Sequence, residues 1–334
     1  MPTRFAIFGD GSWGTAIALL LAQKSDHQVV LWSAREENAC LLRERRENIT
    51  YLPGVQIPPS IELTSDIRQA VSAADFWISA IPTVYLRRTL APLVPNLTKH
   101  RPTLSLSKGL ENETFLRPTE ILRQVLGIPD VAALSGPSHA EEVSRGLPTS
   151  VVIASTDLDL ARRLQQHFST ERFRVYTNRD LLGVELAGAL KNVIGIAAGI
   201  SDGLGFGDNT KSALLTRGLA EIARFGIALG AEQQTFFGLA GIGDLITTCI
   251  SRHGRNRHVG ERLGRGEKLA EILASMKMVA EGVYTTRSVH DQAAKMGIEM
   301  PITAEIYRVL YEDKSPLSAV SDLMLREPKG EKMM

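Results

Sequence analysis

The stretch FAIFGDGSWG, Phe5–Gly14, decides how the first half of the chain reads. An apolar run leads into Gly9-x-Gly11-x-x-Gly14, and the small residues Thr15, Ala16 and Ala18 follow. That order predicts a strand, a tight turn and a helix. Gly9 permits the turn, Gly11 lets a pyrophosphate approach the backbone, and Gly14 lets the helix lie close against the sheet. The helix N-terminus offers unsatisfied N–H groups and a positive dipole end to phosphate. The motif is weak as a bare string, but between a strand and a helix it points to a dinucleotide.

Working outward, short apolar runs recur at Gln28–Ser33, Asp75–Pro82, Thr103–Ser107, Val131–Pro137, Ser150–Ser155 and Phe173–Thr177. Helical patterns lie between several of them, at Trp13–Lys24, Glu36–Arg46 and Phe115–Val125. This alternation predicts βαβ units and a mainly parallel sheet. Beyond Asp180 the strand signal fades, and helical patterns take over at Leu181–Ile200, Thr210–Leu229 and Tyr284–Lys295. The expected organisation is an α/β dinucleotide-binding domain over 1–178, an all-α substrate and catalytic domain over 179–326, and a polar tail over 327–334.

Composition limits the partners. Of 334 residues, 44% are hydrophobic, and 38 Lys and Arg face 37 Asp and Glu for a net charge of +1. So even a balance gives no electrostatic basis for coating nucleic acid or for a polybasic membrane anchor. The two cysteines, Cys40 and Cys249, form no C-x-x-C pair, which argues against a disulfide framework and leaves the cytoplasm as the expected compartment. The apolar stretch Ala189–Ile200 contains Lys191 and Asn192, and no uninterrupted run approaches the roughly 18 residues that span a bilayer. No stable membrane insertion, no nucleic acid and no metal are expected.

Four places carry candidate chemistry. About twenty residues beyond a dinucleotide loop, an NAD-type site places an acid on the ribose 2′-hydroxyl. Here Ser33-Ala34-Arg35 occupies that neighbourhood. Two readings of Arg35 stand: a partner for a 2′-phosphate, or a solvated side chain beside Glu36 and Glu37. Under the first, NADP(H) is accepted and preferred. Lys191 sits in an apolar helical run, where desolvation lowers an ammonium pKa toward the range of a working proton donor; its alternative is a lysine snorkelling from a helix edge. Lys108 and Ser135-Gly136-Pro137-Ser138 follow strand ends, where open α/β sheets bind ligands, although a loop lysine is often mere surface. Finally, the run Ser251–His258 reads either as a compact phosphate cradle or as a solvated basic loop.

Taken together, the motifs GDGSWGTAIA, YLPG (Tyr51–Gly54), SKGLE (Ser107–Glu111) and SGPSHAEE (Ser135–Glu142) resemble those of bacterial-type NAD(P)-dependent glycerol-3-phosphate dehydrogenases. So do ALKNVIGIAAGISDGLGFGDN (Ala189–Asn209), GLAGIGDLITTC (Gly238–Cys249), GRNRHVG (Gly254–Gly260), VAEG (Val279–Gly282) and MPITAEIYRVLY (Met300–Tyr311). The resemblance covers nearly the whole chain. It implies a Rossmann-like N-terminal domain, an all-α C-terminal domain, and reversible NAD(P)H-dependent reduction of dihydroxyacetone phosphate to sn-glycerol 3-phosphate for glycerophospholipid synthesis. Lys191 matches the catalytic acid/base. Ser12, Trp13, Arg35, Tyr51, Lys108, Ala140, Arg255, Val279 and Glu281 match cofactor-contacting positions, joining Gly9, Gly11 and Gly14. Lys108, Gly136, Ser138, Lys191, Asp244, Arg255 and Asn256 match substrate-contacting ones, with Gly254 beside them. A phosphate-ester substrate and a homodimer are expected.

Two positions depart from the family pattern. Asp10 stands where a small residue is usual and is expected to place negative charge near the pyrophosphate, weakening NAD(H) and NADP(H) alike. Gly254 replaces a serine and removes one hydroxyl donor. A β-hydroxyacid or 6-phosphogluconate-type dehydrogenase shares the domain order, but its carboxylate substrate fits SKGLE and GRNRHVG poorly. A dinucleotide-sensing regulator would need the first domain's site alone, not Lys108, Lys191, Asp244 and Arg255 as well.

Overall fold

Strand β1 (Thr3–Phe8) has the buried sequence Phe5-Ala6-Ile7-Phe8, apolar on both faces as a central parallel strand requires. It is part of a computed structural model that describes residues 2–97, 100–328, 330 and 331. The remaining strands are β2 (His27–Trp32), β3 (Glu47–Asn48), β4 (Leu52–Gln56), β5 (Ile61–Thr64), β6 (Phe76–Ser79), β7 (Thr103–Ser105), β8 (Val131–Ser135), β9 (Thr149–Ala154) and β10 (Phe173–Asn178). Eight of them form one sheet in the order β10-β9-β8-β7-β6-β1-β2-β5, and β3 pairs with β4 in a small antiparallel hairpin. Among the described residues, only the β8–β9 pairing within the large sheet is antiparallel.

The chain runs from β1 outward to β2 and β5, then returns to β6 on the other side of β1. Strand order therefore reverses at β1, and the crevice at its carboxyl end is where such sheets bind ligands. The glycine loop lies at that end. The seven strands read from the sequence are all present. Strand β5 and the hairpin were not anticipated: β5 carries Glu62, paired with Arg4 at 3.0 Å, and the hairpin contains Pro53 and Gly54, so neither shows an apolar run.

Residues Met1–Ser107 and Pro118–Leu181 form one compact unit, and Lys108–Arg117 with Leu182–Met334 form a second. The excursion Lys108–Arg117 thus leaves the first unit and belongs to the second. Of the polar tail expected over 327–334, residues 329 and 332–334 lie outside those described.

The second unit is built around the helix Leu181–Gly203, long and apolar enough to cross a membrane by length and composition, with 94% of its most apolar window buried inside the protein. Against it lies the helix Arg255–Gly264. The two approach through glycines: a Cβ on Gly199 would stand 1.9 Å from the Arg257 carbonyl oxygen, and one on Gly260 would stand 2.0 Å from that of Ile196. Neither distance is possible for real atoms, so backbone meets backbone only because these positions lack side chains. This seam brings the start of the second helix to the middle of the first.

Candidate active site

In the first unit, the glycine loop is shaped by contact. Gly9 has φ +110°, a region that favours glycine, and a Cβ on Gly14 would stand 2.0 Å from the Gly9 carbonyl oxygen. Over Gly11, by contrast, a Cβ would meet nothing within 4 Å. The loop therefore leaves open space above Gly11 at the start of the helix Ser12–Leu21, which fits a pyrophosphate seated on backbone N–H groups. Asn48, from β3, donates through Nδ2 to the Asp10 carbonyl and to Thr15 Oγ1, both at 2.8 Å. Its Oδ1 accepts the Tyr51 N–H at 3.1 Å, so one buried amide ties Tyr51 to the glycine loop. Trp13 packs on a small buried cluster of Ala16, Leu52 and Ala140. Gly136 has φ +127°, and its carbonyl accepts the Ser138 hydroxyl at 3.0 Å.

Two residues singled out in the sequence lie at this loop and the end of β2. Arg35 is exposed, and its neighbour Glu36 bonds Arg43, Cys40 and Ser65 instead. The Asp10 carboxylate is engaged at the end of β2, where Oδ2 accepts the Ser33 hydroxyl at 2.7 Å.

In the second unit, three charged groups meet below the surface. Asp244, 2% exposed at the start of the helix Asp244–Ile250, accepts from Lys191 Nζ at 2.9 Å on Oδ1 and from Lys108 Nζ at 2.7 Å on Oδ2. Lys191 also donates to Thr248 Oγ1, one helical turn beyond Asp244 and on the same face. Burial pushes the Lys191 ammonium down to about 8; Asp244 opposes that shift and Lys108 adds to it. Burial pushes the Asp244 carboxyl up, but the two ammonium groups outweigh it and hold the carboxyl below its ordinary range.

Lys108 reaches this cluster because its segment is anchored there. Its carbonyl accepts Asn192 Nδ2 at 2.9 Å, Arg117 pairs with buried Glu185 at 2.8 Å, and Asn112 accepts the Ser288 hydroxyl at 2.6 Å. Nearby, Gly254 caps the helix carrying Arg255 and Asn256. A Cβ at Gly254 would stand 3.0 Å from the Thr248 carbonyl oxygen, so a side chain there fits only tightly. Arg255 donates to the Val279 carbonyl at 2.9 Å, and Asn256 Oδ1 accepts the Gly282 N–H at 2.9 Å. The stretch holding Val279 and Glu281 is thereby fixed beside the basic loop, with the Asn256 amide N–H groups left as donors. Among the described residues no group of His, Cys, Asp and Glu is placed to hold a metal ion. Burial pushes the Cys249 thiol up to about 12, so it is no thiolate nucleophile.

A buried lysine whose ammonium is lowered by burial, a basic helix start and an open glycine turn are parts that a dinucleotide-dependent dehydrogenase for a phosphorylated substrate needs. The family models described as NAD-dependent glycerol-3-phosphate dehydrogenase N-terminus and C-terminus match residues 4–161 and 180–321. The chain belongs to this family. It is 49% identical over 98% of its length to glycerol-3-phosphate dehydrogenase [NAD(P)+] of Chlorobium limicola, covering 98% of that protein. Against the first such enzyme of Salinibacter ruber it is 51% identical, with 97% of this chain and 96% of that one covered. The crystal structure of glycerol-3-phosphate dehydrogenase from Coxiella burnetii superposes with a TM-score of 0.93 at 38% identity, covering 97% of this chain and 99% of that one.

Among glycerol-3-phosphate dehydrogenases the sequence motifs draw attention to Lys191 and Asp244, but Thr248, Asn48 and the role of Asn192 escaped the sequence reading. Thr248 carried one usable signal, its four-residue spacing from Asp244. Asn48 carried none, since its partners are set by the hairpin.

Proposed function

We propose that this chain reduces dihydroxyacetone phosphate to sn-glycerol 3-phosphate, reversibly and with NAD(P)H, providing the backbone of glycerophospholipids. The observation that carries the reading is the buried Lys108–Asp244–Lys191 cluster in a chain of this family. A nicotinamide dinucleotide, when bound, supplies the hydride for the ketone carbon. The residues that would hold it are Gly9, Gly11, Ser12, Trp13, Gly14, Arg35, Tyr51 and Ala140, and, by the family resemblance, Lys108, Arg255, Val279 and Glu281.

Lys191 delivers the proton. As ammonium it stabilises charge developing on the carbonyl oxygen and then protonates it; as free amine it takes the proton back in the reverse direction. A pKa lowered to about 8 keeps both forms accessible near neutral pH. Asp244 orients the ammonium and offsets the repulsion from Lys108. Arg255 and Asn256, at the helix start capped by Gly254, grip the ester phosphate, and Lys108, Gly136 and Ser138 complete the substrate contacts. Binding energy at the phosphate then positions the reacting carbonyl.

The protein acts in the cytoplasm as a homodimer; the exposed apolar side chains Leu317, Met324 and Leu325, at 56%, 79% and 82% exposure, support a partner on the second unit. Sedimentation velocity tests the assembly. The function is tested by following nicotinamide absorbance with dihydroxyacetone phosphate and with unphosphorylated dihydroxyacetone. The unphosphorylated ketone should lose kcat as well as binding; equal kcat/KM for the two sinks the reading.

A further inference from the structure

Asp10 and Ser33 are separated by 23 positions, yet the Ser33 hydroxyl donates to Asp10 Oδ2 at 2.7 Å. Both ends of Asp10 are held, because its carbonyl oxygen accepts Asn48 Nδ2 at 2.8 Å. Ser33 is itself buried, and its N–H donates to the Thr64 carbonyl at 2.9 Å, which fixes it to the sheet just past β2.

The end of the second strand is where dinucleotide folds present a carboxylate to the ribose 2′-hydroxyl. In this chain that strand ends in a hydroxyl, and the carboxylate arrives from the glycine loop instead. A carboxylate placed over the pyrophosphate acts equally on both cofactors and leaves their ratio unchanged. Beside the ribose it acts on the one feature in which they differ.

We propose that Asp10, held by Ser33, is a specificity-determining residue that accepts the adenosine ribose 2′-hydroxyl of NAD(H) and repels the 2′-phosphate of NADP(H). The proposal rests on the dinucleotide-binding reading of the loop. Arg35, exposed two residues past Ser33, pulls the other way, so the chain takes both cofactors while Asp10 tilts the balance to NAD(H). Discrimination comes from a repulsive element as much as from an attractive one.

Calorimetric titration of the full chain with NADH, NADPH, 5′-ADP and 2′,5′-ADP tests this without turnover. The native protein should bind NADH more tightly than NADPH. Asp10→Asn keeps an oxygen for Ser33 and removes the charge, and Asp10→Ala removes both. Each should shift the NADPH to NADH affinity ratio toward NADPH by at least about tenfold, with the two ADP probes following the same order. Ser33→Ala, which frees the carboxylate, should shift it the same way by less. Equal gains for both dinucleotides, or a ratio changed less than about twofold in a variant with native circular dichroism, overturn the proposal. If neither dinucleotide binds the native chain, the reading of the loop falls and the proposal with it.

Discussion

The Lys191 ammonium and the Asp244 carboxylate are buried together, 2.9 Å apart, and Asp244 holds Lys108 on its other oxygen. One negative charge is shared between two positive ones. Burial lowers the Lys191 ammonium while the Asp244 carboxylate opposes that shift, which suits the reversible proton transfer proposed for it.

The pH dependence follows in sign. Lys191 is lowered from 10.5 to about 8, so between those values the unfolded chain binds more protons at this position. Its contribution therefore makes stability rise with pH across that window. Catalytically, kcat for ketone reduction should fall as pH rises through about 8, and kcat for alcohol oxidation should rise. Lys191→Ala should lower kcat by at least roughly 10²-fold in both directions and abolish this limb. Near-native turnover in the variant would make the lysine structural.

Asp244→Asn leaves two ammonium groups facing each other with no carboxylate between them. Lys191 should then lose its proton at lower pH, moving the limb of the reduction profile below its native position. Removing one member of a buried ion cluster should also destabilise the fold by about 3–5 kcal/mol, read from urea unfolding. A limb unmoved in pH would mean that Asp244 does not hold the proton on Lys191.

Arg35→Ala should act on one cofactor alone. An exposed arginine–phosphate contact contributes about 1–2 kcal/mol, so the dissociation constant for NADPH should rise about five- to thirty-fold. That for NADH should stay the same. An unchanged NADPH value would return Arg35 to the solvated surface.

Gly260→Ala would insert a methyl group 2.0 Å from the Ile196 carbonyl oxygen. The helices must part, at a cost of about 1–3 kcal/mol or more. Because the same helix begins at Arg255, KM for the phosphorylated ketone should rise along with the loss of stability. A urea midpoint equal to the native one would show that the seam relaxes without strain.

Much of this was legible before the structure. Phe5–Phe8 and Val29–Trp32 are apolar because both faces of their strands are covered, and that pattern survives in one dimension. Ile61–Thr64 is equally a strand of the main sheet, but Glu62 at its edge breaks the run. Lys191 stood out as a charge in an apolar helix, whereas its counter-charge lies 53 residues on, beyond the reach of any local pattern. The Ser33 partner of Asp10 was out of reach for a similar reason. A side chain's partner depends on a neighbouring strand, and Ser33 drew the carboxylate aside.

The excursion Lys108–Arg117 bears on how such a chain can be cut and recombined. The second unit is not the simple stretch after Leu181. A fragment beginning there would lack Lys108, leaving Asp244 with one of these two cations, and would lack Arg117, removing its ion pair with buried Glu185. Exchanging all of residues 1–181 for another sequence would likewise carry off Lys108, a cation paired with Asp244.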